Sequence, residues 1–185
     1  VFYSYFFGSI PFGLILTKFF LNKDLRDVGS GNIGATNVLR TGKKIFGALT
    51  LFLDGLKAYV AMTVTYKYFT DYIYLSALLC FLGHIFPLWL NFKGGKGIAV
   101  FLGVLFTLSI NYGIIFITCW TVILYLTKYS SLSSLISTGI IFFYSIYLNN
   151  SSESIFFFII LIIAIYTHRE NIVRLKNKAE NKTNL

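Results

Sequence analysis

The sequence predicts an all-α integral membrane protein, a polytopic helical bundle of about seven transmembrane helices, with five as the alternative count. Three observations predict it. Hydrophobic residues make up 56% of the 185 residues and charged residues 12%, against roughly 45–50% and about 25% in soluble domains. Seven apolar runs follow one another across short polar connections. The cations gather on one side of those runs.

The elements justify themselves in order. Run 1–21 has neither a positively charged lead nor a small-residue cleavage site, so it reads as a retained span and not a signal peptide. Runs 45–66 and 73–92 have the about 20 apolar residues that a crossing needs. Runs 98–110 and 112–127 are short, at 13 and 16 residues, and read as tilted spans or as a re-entrant pair. Runs 132–148 and 154–167 complete the set.

If all seven cross, stretches 22–44, 93–97, 128–131 and 168–185 share one side, with fourteen of the 16 lysines and arginines. Lys67 alone falls on the other side, and Lys57 lies mid-span. The positive-inside rule then sets the N-terminus outside and the C-terminus in the cytoplasm. Treating 98–127 as re-entrant removes two crossings together and leaves this sorting intact. With no internal repeat and no linker, residues 1–185 read as a single domain. Cys80 and Cys119 lie inside apolar runs, away from any metal-ligand spacing, and read as small buried hydrophobes. The sequence implies no cofactor, no metal and no nucleic acid, because it has neither a carboxylate/histidine ligand cluster nor a basic stretch interleaved with aromatics outside the membrane runs.

Three polar constellations interrupt the apolar sequence. The first, "VGSGNIGATNVLR" at 28–40, holds nothing large to pack a core. Gly29, Gly31 and Gly34 permit tight turns that expose backbone N–H groups, while Ser30, Asn32, Thr36 and Asn37 add side-chain donors. Together they suit an anion nest, with a helix starting at Ala35 and Arg40 supplying a planar fork for phosphate. Close helix packing would explain the glycines but not the polar side chains.

The second is "GHIFPLWLNFKGGKGIA" at 83–99. Its Lys93-Gly94-Gly95-Lys96-Gly97 lacks the P-loop spacing and the magnesium-binding hydroxyl. An ATPase is therefore excluded, although "LTLFLD" ending at Asp54 mimics a Walker B strand. What remains is two lysines on a glycine-rich turn, which reads as an anion-wrapping loop or a positive-inside anchor. His84 is expected about 12 Å down the preceding helix, as a buried structural residue or a wall of a polar cavity. Asp54 and Lys57, one turn apart and about 14 Å deep, are expected to neutralise each other or to face a wet cavity.

The third is "THRENIVRLKNKAE", where the last apolar run stops. His168, Asn171 and Arg174 share a helical face by their spacing, which aims imidazole, amide and guanidinium together.

With these stretches in hand, the sequence resembles the bacterial acyl-phosphate:glycerol-3-phosphate acyltransferases, integral-membrane enzymes that start phospholipid synthesis. The signature GSGNxGATNxxR is met without exception from Gly29 to Arg40. GHxFPxFxxFxGGKGVAT is met from Gly83 to Val100, with Trp89, Ile98 and Val100 as departures. HRxNIxRLxxGxE is met from His168 to Glu180, except that Lys178 stands where the family has glycine, a change that bears on the terminal turn and on Glu180. The resemblance implies transfer of a fatty acyl group from acyl phosphate to the 1-hydroxyl of sn-glycerol 3-phosphate, at the cytoplasmic face of a bacterial plasma membrane. It implies catalytic roles for Ser30, Arg40, His168 and Asn171, with His168 as candidate general base. Phosphate or glycerol-3-phosphate binding falls to the glycine-rich stretches, above all Lys96, with Arg169 and Arg174. His84, Asp54, Lys57 and Glu180 would support them. The expected partners are the two substrates and membrane lipid. An anion channel or transporter would use similar cations, but commonly near the midplane between repeated halves. A structural scaffold leaves the Ser/Asn/Thr/Arg cluster unexplained.

Overall fold

The computed structural model describes residues 1–183, and among these it is helical throughout, without a strand. It divides into two compact units, Val1–Leu108 and Ser109–Leu185.

The first unit holds α1 (Tyr3–Gly8), α2 (Phe12–Leu21), α3 (Ala35–Leu39), α4 (Lys44–Tyr68), α5 (Ile73–Ile85) and α6 (Ile98–Leu108). α1 and α2 make one candidate span, Tyr3–Leu21, broken at Pro11, which has no N–H to continue the helix. α4 is the post around which the unit is built, 25 residues long and about 37 Å end to end; it packs against α1, α2, α3, α5 and α6. Its buried side is small or polar, including Gly47, Thr50, Asp54, Lys57, Ala58, Ala61 and Thr65, whereas Phe52, Leu56 and Tyr59 are exposed. That inversion suits a lipid surround, where apolar side chains gain nothing by turning inward and small residues allow close packing. α1 and α5 show the closeness directly: a Cβ on Gly83 would strike the carbonyl of Tyr5, and one on Gly8 the backbone of Cys80.

The second unit runs α7 (Ile110–Thr127), α8 (Ser130–Tyr147), α9 (Ser151–Thr167) and α10 (Arg169–Lys176). The Ser109 and Asn150 side chains cap α7 and α9 by accepting from the amides of Asn111 and Glu153. The Tyr112 hydroxyl donates to the Glu153 carboxylate, tying α7 to α9. α8 buries a stripe of hydroxyls, of which Ser133 donates back to Tyr129 O at 2.9 Å and Thr138 to Ser134 O at 2.8 Å.

All seven apolar runs are helical, but the count of crossings by length is five, or six if the pair α9 and α10, bent by 61°, forms one span. The seventh, α6, has 11 residues, about 16 Å against a hydrocarbon core of about 30 Å. By length, the alternative count of five is met and the count of seven is not. The re-entrant alternative over 98–127 differs too, because α7 has the length and apolarity to cross.

Candidate active site

The stretch 28–40 folds on a core of its own. Leu25 and Val38 are fully buried, Ile33 and Leu14 nearly so, and Val28, Phe46 and Leu90 pack around them. This corrects the expectation of a loop without a core: Ile33 and Val38 lie among the polar residues, too isolated to stand out as a periodic pattern. Asn37 holds the loop together. Its Nδ2 donates to the carbonyls of Val28 at 2.8 Å, Asn32 at 2.8 Å and Leu25 at 3.1 Å, and its Oδ1 accepts from the Ser30 amide at 3.1 Å. Gly29 and Gly31 take φ of +56° and +69°, the left-handed region that glycine enters freely. A Cβ on Gly29 would also crowd the Asn37 side chain.

The anion nest is accordingly narrower than expected. The amides of Ser30, Gly31 and Gly34 turn inward, to Asn37 Oδ1, Val28 O and Asn32 Oδ1. The reason is that a loop covering apolar side chains must pair its own backbone groups. Asn32 and Asn37 are thereby parts of the frame. What faces outward is the Ser30 hydroxyl and the Arg40 guanidinium, both on exposed residues, with Thr36 half-buried behind them at the start of α3. Asp24 braces the loop's entry, accepting from the Arg26 side chain and amide and from Lys18. The Arg26 hydrogen bonds hold its carboxyl well below the usual carboxylate range.

The second stretch is a return turn. His84 lies in the last turn of α5, not mid-helix as expected, because α5 stops at Ile85, before Phe86 and Pro87; a residue preceding proline is steered out of the helical region. A 3-10 turn, Leu88–Leu90, follows, and Asn91 and Phe92 take φ of +51° and +60°. The chain then folds back so that the Gly94 amide donates to Ile85 O at 2.9 Å and the Gly95 amide to His84 O at 3.0 Å. These two amides were expected to wrap an anion. Instead they satisfy the carbonyls that the end of α5 leaves open. The lysines are what the turn presents, Lys93 exposed and Lys96 half-buried, beside Gly97 at φ +84°.

The two stretches meet. Leu90, at the end of the 3-10 turn, packs on the Leu25, Ile33 and Val38 core of the first loop. Beneath them lies a buried polar cluster: Lys57 Nζ donates to Asp54 Oδ1 at 2.6 Å and to Ile10 O at 2.6 Å, and stands 3.0 Å from His84 Nδ1. The Asp54 and Lys57 side chains are each 2% exposed. They neutralise each other as expected. Ile10 was missed as a member; as the residue before Pro11 it is steered out of the helix, and its carbonyl accepts from the Phe12 amide as well as from Lys57.

The third stretch belongs to the second unit and is a clasp. His168, buried, joins α9 to α10, and its Nδ1 donates to Ala164 O at 2.8 Å. Asn171 Nδ2 donates to Glu180 Oε1 at 2.6 Å, Arg174 Nε to Glu180 Oε2 at 2.8 Å, and Ser131 Oγ to Glu180 Oε1 at 2.8 Å. Burial would raise the Glu180 carboxyl, but these three donors outweigh it and hold the group below its ordinary value. The spacing of His168, Asn171 and Arg174 was expected to aim the three side chains together, whereas Asn171 and Arg174 both turn to Glu180, because a carboxylate six to nine residues on reaches them once the chain bends back. Lys178 makes that bend with φ +54°, so the turn survives without the glycine. Ser131 was missed, and only its place in a serine-rich stretch marked it. Arg169 is exposed, stacked on Tyr166 with its carbon 4.5 Å from the ring centre and bonded to Tyr166 O at 3.0 Å.

Comparison with known proteins gives consistent matches. A family model described as glycerol-3-phosphate acyltransferase matches residues 1–178. A glycerol-3-phosphate acyltransferase of Pelagibacter ubique is 53% identical over 98% of this chain and 95% of its own length. One from Rhodopseudomonas palustris is 45% identical over 97% of this chain and 92% of its own. Among solved structures, PlsY (YgiH), an integral membrane glycerol 3-phosphate acyltransferase, in its glycerol 3-phosphate form, superposes with a TM-score of 0.91 at 36% identity, covering 98% of this chain and 92% of that one. Its lysophosphatidic acid form gives a TM-score of 0.88 at 35% identity, covering 97% and 91%.

Proposed function

Because the chain belongs to the glycerol-3-phosphate acyltransferase family, we propose that it moves a fatty acyl group from an acyl phosphate to the 1-hydroxyl of sn-glycerol 3-phosphate. The products are lysophosphatidic acid and inorganic phosphate. It is a multi-pass membrane acyltransferase with glycerol 3-phosphate as acceptor, and one domain over 1–185 carries the activity. The observation that supports this most is the seating of Leu90 on the Leu25, Ile33 and Val38 core. It joins the loop bearing Ser30 and Arg40 to the turn bearing Lys93 and Lys96, so that one surface offers a hydroxyl and cations to phosphate esters.

The chemistry needs no acyl-enzyme. An acyl phosphate is a mixed anhydride. The 1-hydroxyl oxygen attacks its carbonyl carbon, the bond to the bridging phosphate oxygen breaks, and phosphate departs with the electron pair. Arg40 and Ser30 stabilise the charge that grows on that phosphate and on the carbonyl oxygen. Lys96, with Lys93, binds the acceptor's phosphate from the turn that Gly94, Gly95 and Gly97 shape. Asn32, Asn37, Asn171, Arg174 and Glu180 maintain the shapes of their segments. The general base that the third signature offers is His168, whose Nδ1 is the donor to Ala164 O. If His168→Gln keeps a normal rate, a substrate phosphate takes the proton instead. Little chain lies outside the apolar runs to enclose a nucleotide, which favours acyl phosphate over acyl-CoA as donor.

The deciding experiment is incorporation of labelled glycerol 3-phosphate into lipid by purified protein in detergent, with acyl phosphate and acyl-CoA supplied separately. Product with acyl phosphate supports the reading, and product with acyl-CoA alone overturns the donor. We place the site at the cytoplasmic face of a bacterial plasma membrane. In intact cells, cysteines at Lys43 and Lys178 should resist a membrane-impermeant reagent that labels a cysteine at Lys67; the opposite pattern rejects that orientation.

A further inference from the structure

We propose that Asp54, Lys57 and His84 form a buried positioning relay that sets the geometry of the Gly94–Gly97 turn and so the acceptor's affinity. The proposal rests on the reading that this turn binds glycerol 3-phosphate.

The Lys57 ammonium has three protons and three partners: Asp54 Oδ1, Ile10 O and His84 Nδ1. An ammonium offers no lone pair, so His84 Nδ1 must be the acceptor and the ring proton sits on Nε2. That edge of the ring lies against Gly95. A Cβ added to Gly95 would collide with His84 Nε2, and Cε1 and Cδ2 would also be within about 3 Å of it. The backbone fastens the same place, since His84 O accepts from the Gly95 amide and Ile85 O from the Gly94 amide. His84 is thus held on one edge by Lys57 and presses the turn with the other. Asp54 matters because it orients Lys57, the pair being 2.6 Å apart and both buried. Lys96 follows Gly95 directly, so a shift in the ring is passed to the cation through a single residue. Nothing in the relay touches a reacting atom, so its loss acts on binding and not on the chemical step.

Three variants test it, each measured in detergent with its unfolding temperature recorded. His84→Ala and Asp54→Asn should raise the KM for glycerol 3-phosphate about tenfold and leave kcat within about threefold. His84→Asn, whose side-chain oxygen can stand where Nδ1 accepts from Lys57, should recover part of the affinity. Gly95→Ala should raise KM as well. Combined with His84→Ala, which makes room for the new methyl, it should be no worse than Gly95→Ala alone, because contacting residues do not add. Independent, multiplying effects of positions 84 and 95 would overturn the relay, as would a fall in kcat at unchanged KM. If a position-84 variant fails to fold, Asp54→Asn carries the KM test, and an unchanged KM there is equally fatal. Lys96→Met separates the two failures. A raised KM with no coupling between 84 and 95 sinks the relay alone, whereas an unchanged KM sinks the binding reading beneath it.

Discussion

The loop at 28–40 and the segment at 168–180 hold polar residues of the same kinds and solve opposite problems. In the loop a buried amide, Asn37, draws the backbone together so that Ser30 and Arg40 stand outside. In the C-terminal segment a carboxylate, Glu180, draws side chains inward, and Asn171 and Arg174 close on it. The difference teaches that an asparagine or arginine in a signature is a ligand-facing group only if nothing nearer in its own segment completes it. Arg40 has a distant contact of 3.5 Å to Asn37 Oδ1, whereas Arg174 has a carboxylate at 2.8 Å.

The comparison breaks most decisively at its outward groups. Arg40→Ala and Ser30→Ala should each lower kcat by about 10²–10³, the range for losing a donor to developing charge, with little change in unfolding temperature. Equal losses of stability and activity would make them framework and erase the contrast. Next comes the keystone: Asn37→Ala leaves several buried backbone partners open, at a cost of about 1–3 kcal/mol, visible as a lower unfolding temperature before any kinetic effect is read.

On the clasp side, Glu180 makes the contrast pH-dependent. Its folded-state pKa lies below the unfolded one. Its contribution is therefore complete above the unfolded value of about 4.3 and is lost as pH falls through the folded value. Limited proteolysis after residue 176 should speed up as pH falls from about 5 downward, and Glu180→Gln should be fast already at neutral pH. A rate that does not move in either case would show that Arg174 and Asn171 do not close on the carboxylate. The smallest effect belongs to Lys178, whose left-handed backbone at φ +54° costs an L-residue about 1–2 kcal/mol. Lys178→Gly should stabilise the turn by up to that amount, with activity unchanged. Destabilisation would mean that the lysine side chain holds the bend.

Much of the fold was legible because membrane spans announce themselves by composition. The runs were found because about 20 consecutive apolar residues have few other uses. The shortness of α6 was legible as a run of 13 residues, whereas its end at Leu108 appeared only in the structure. The break at Pro11 was legible as chemistry, but not the ammonium that answers it. The site was legible as three signatures. Which of their amides remained for a ligand was not, since the partners of Gly94 and Gly95 lie at the end of the preceding helix and appear only once the turn closes.

Composition and local pattern by themselves determined that the chain is a helical membrane protein with its polar chemistry in three short stretches, because hydrophobic length and the steric freedom of glycine act over a few neighbouring residues. Only the tertiary structure decided which polar groups complete one another, as Lys57 does for Ile10 and His84, or Glu180 for Ser131. Hydrogen bonding in a buried site is a matter of proximity in space, and those partners are 27 to 49 residues apart in the chain.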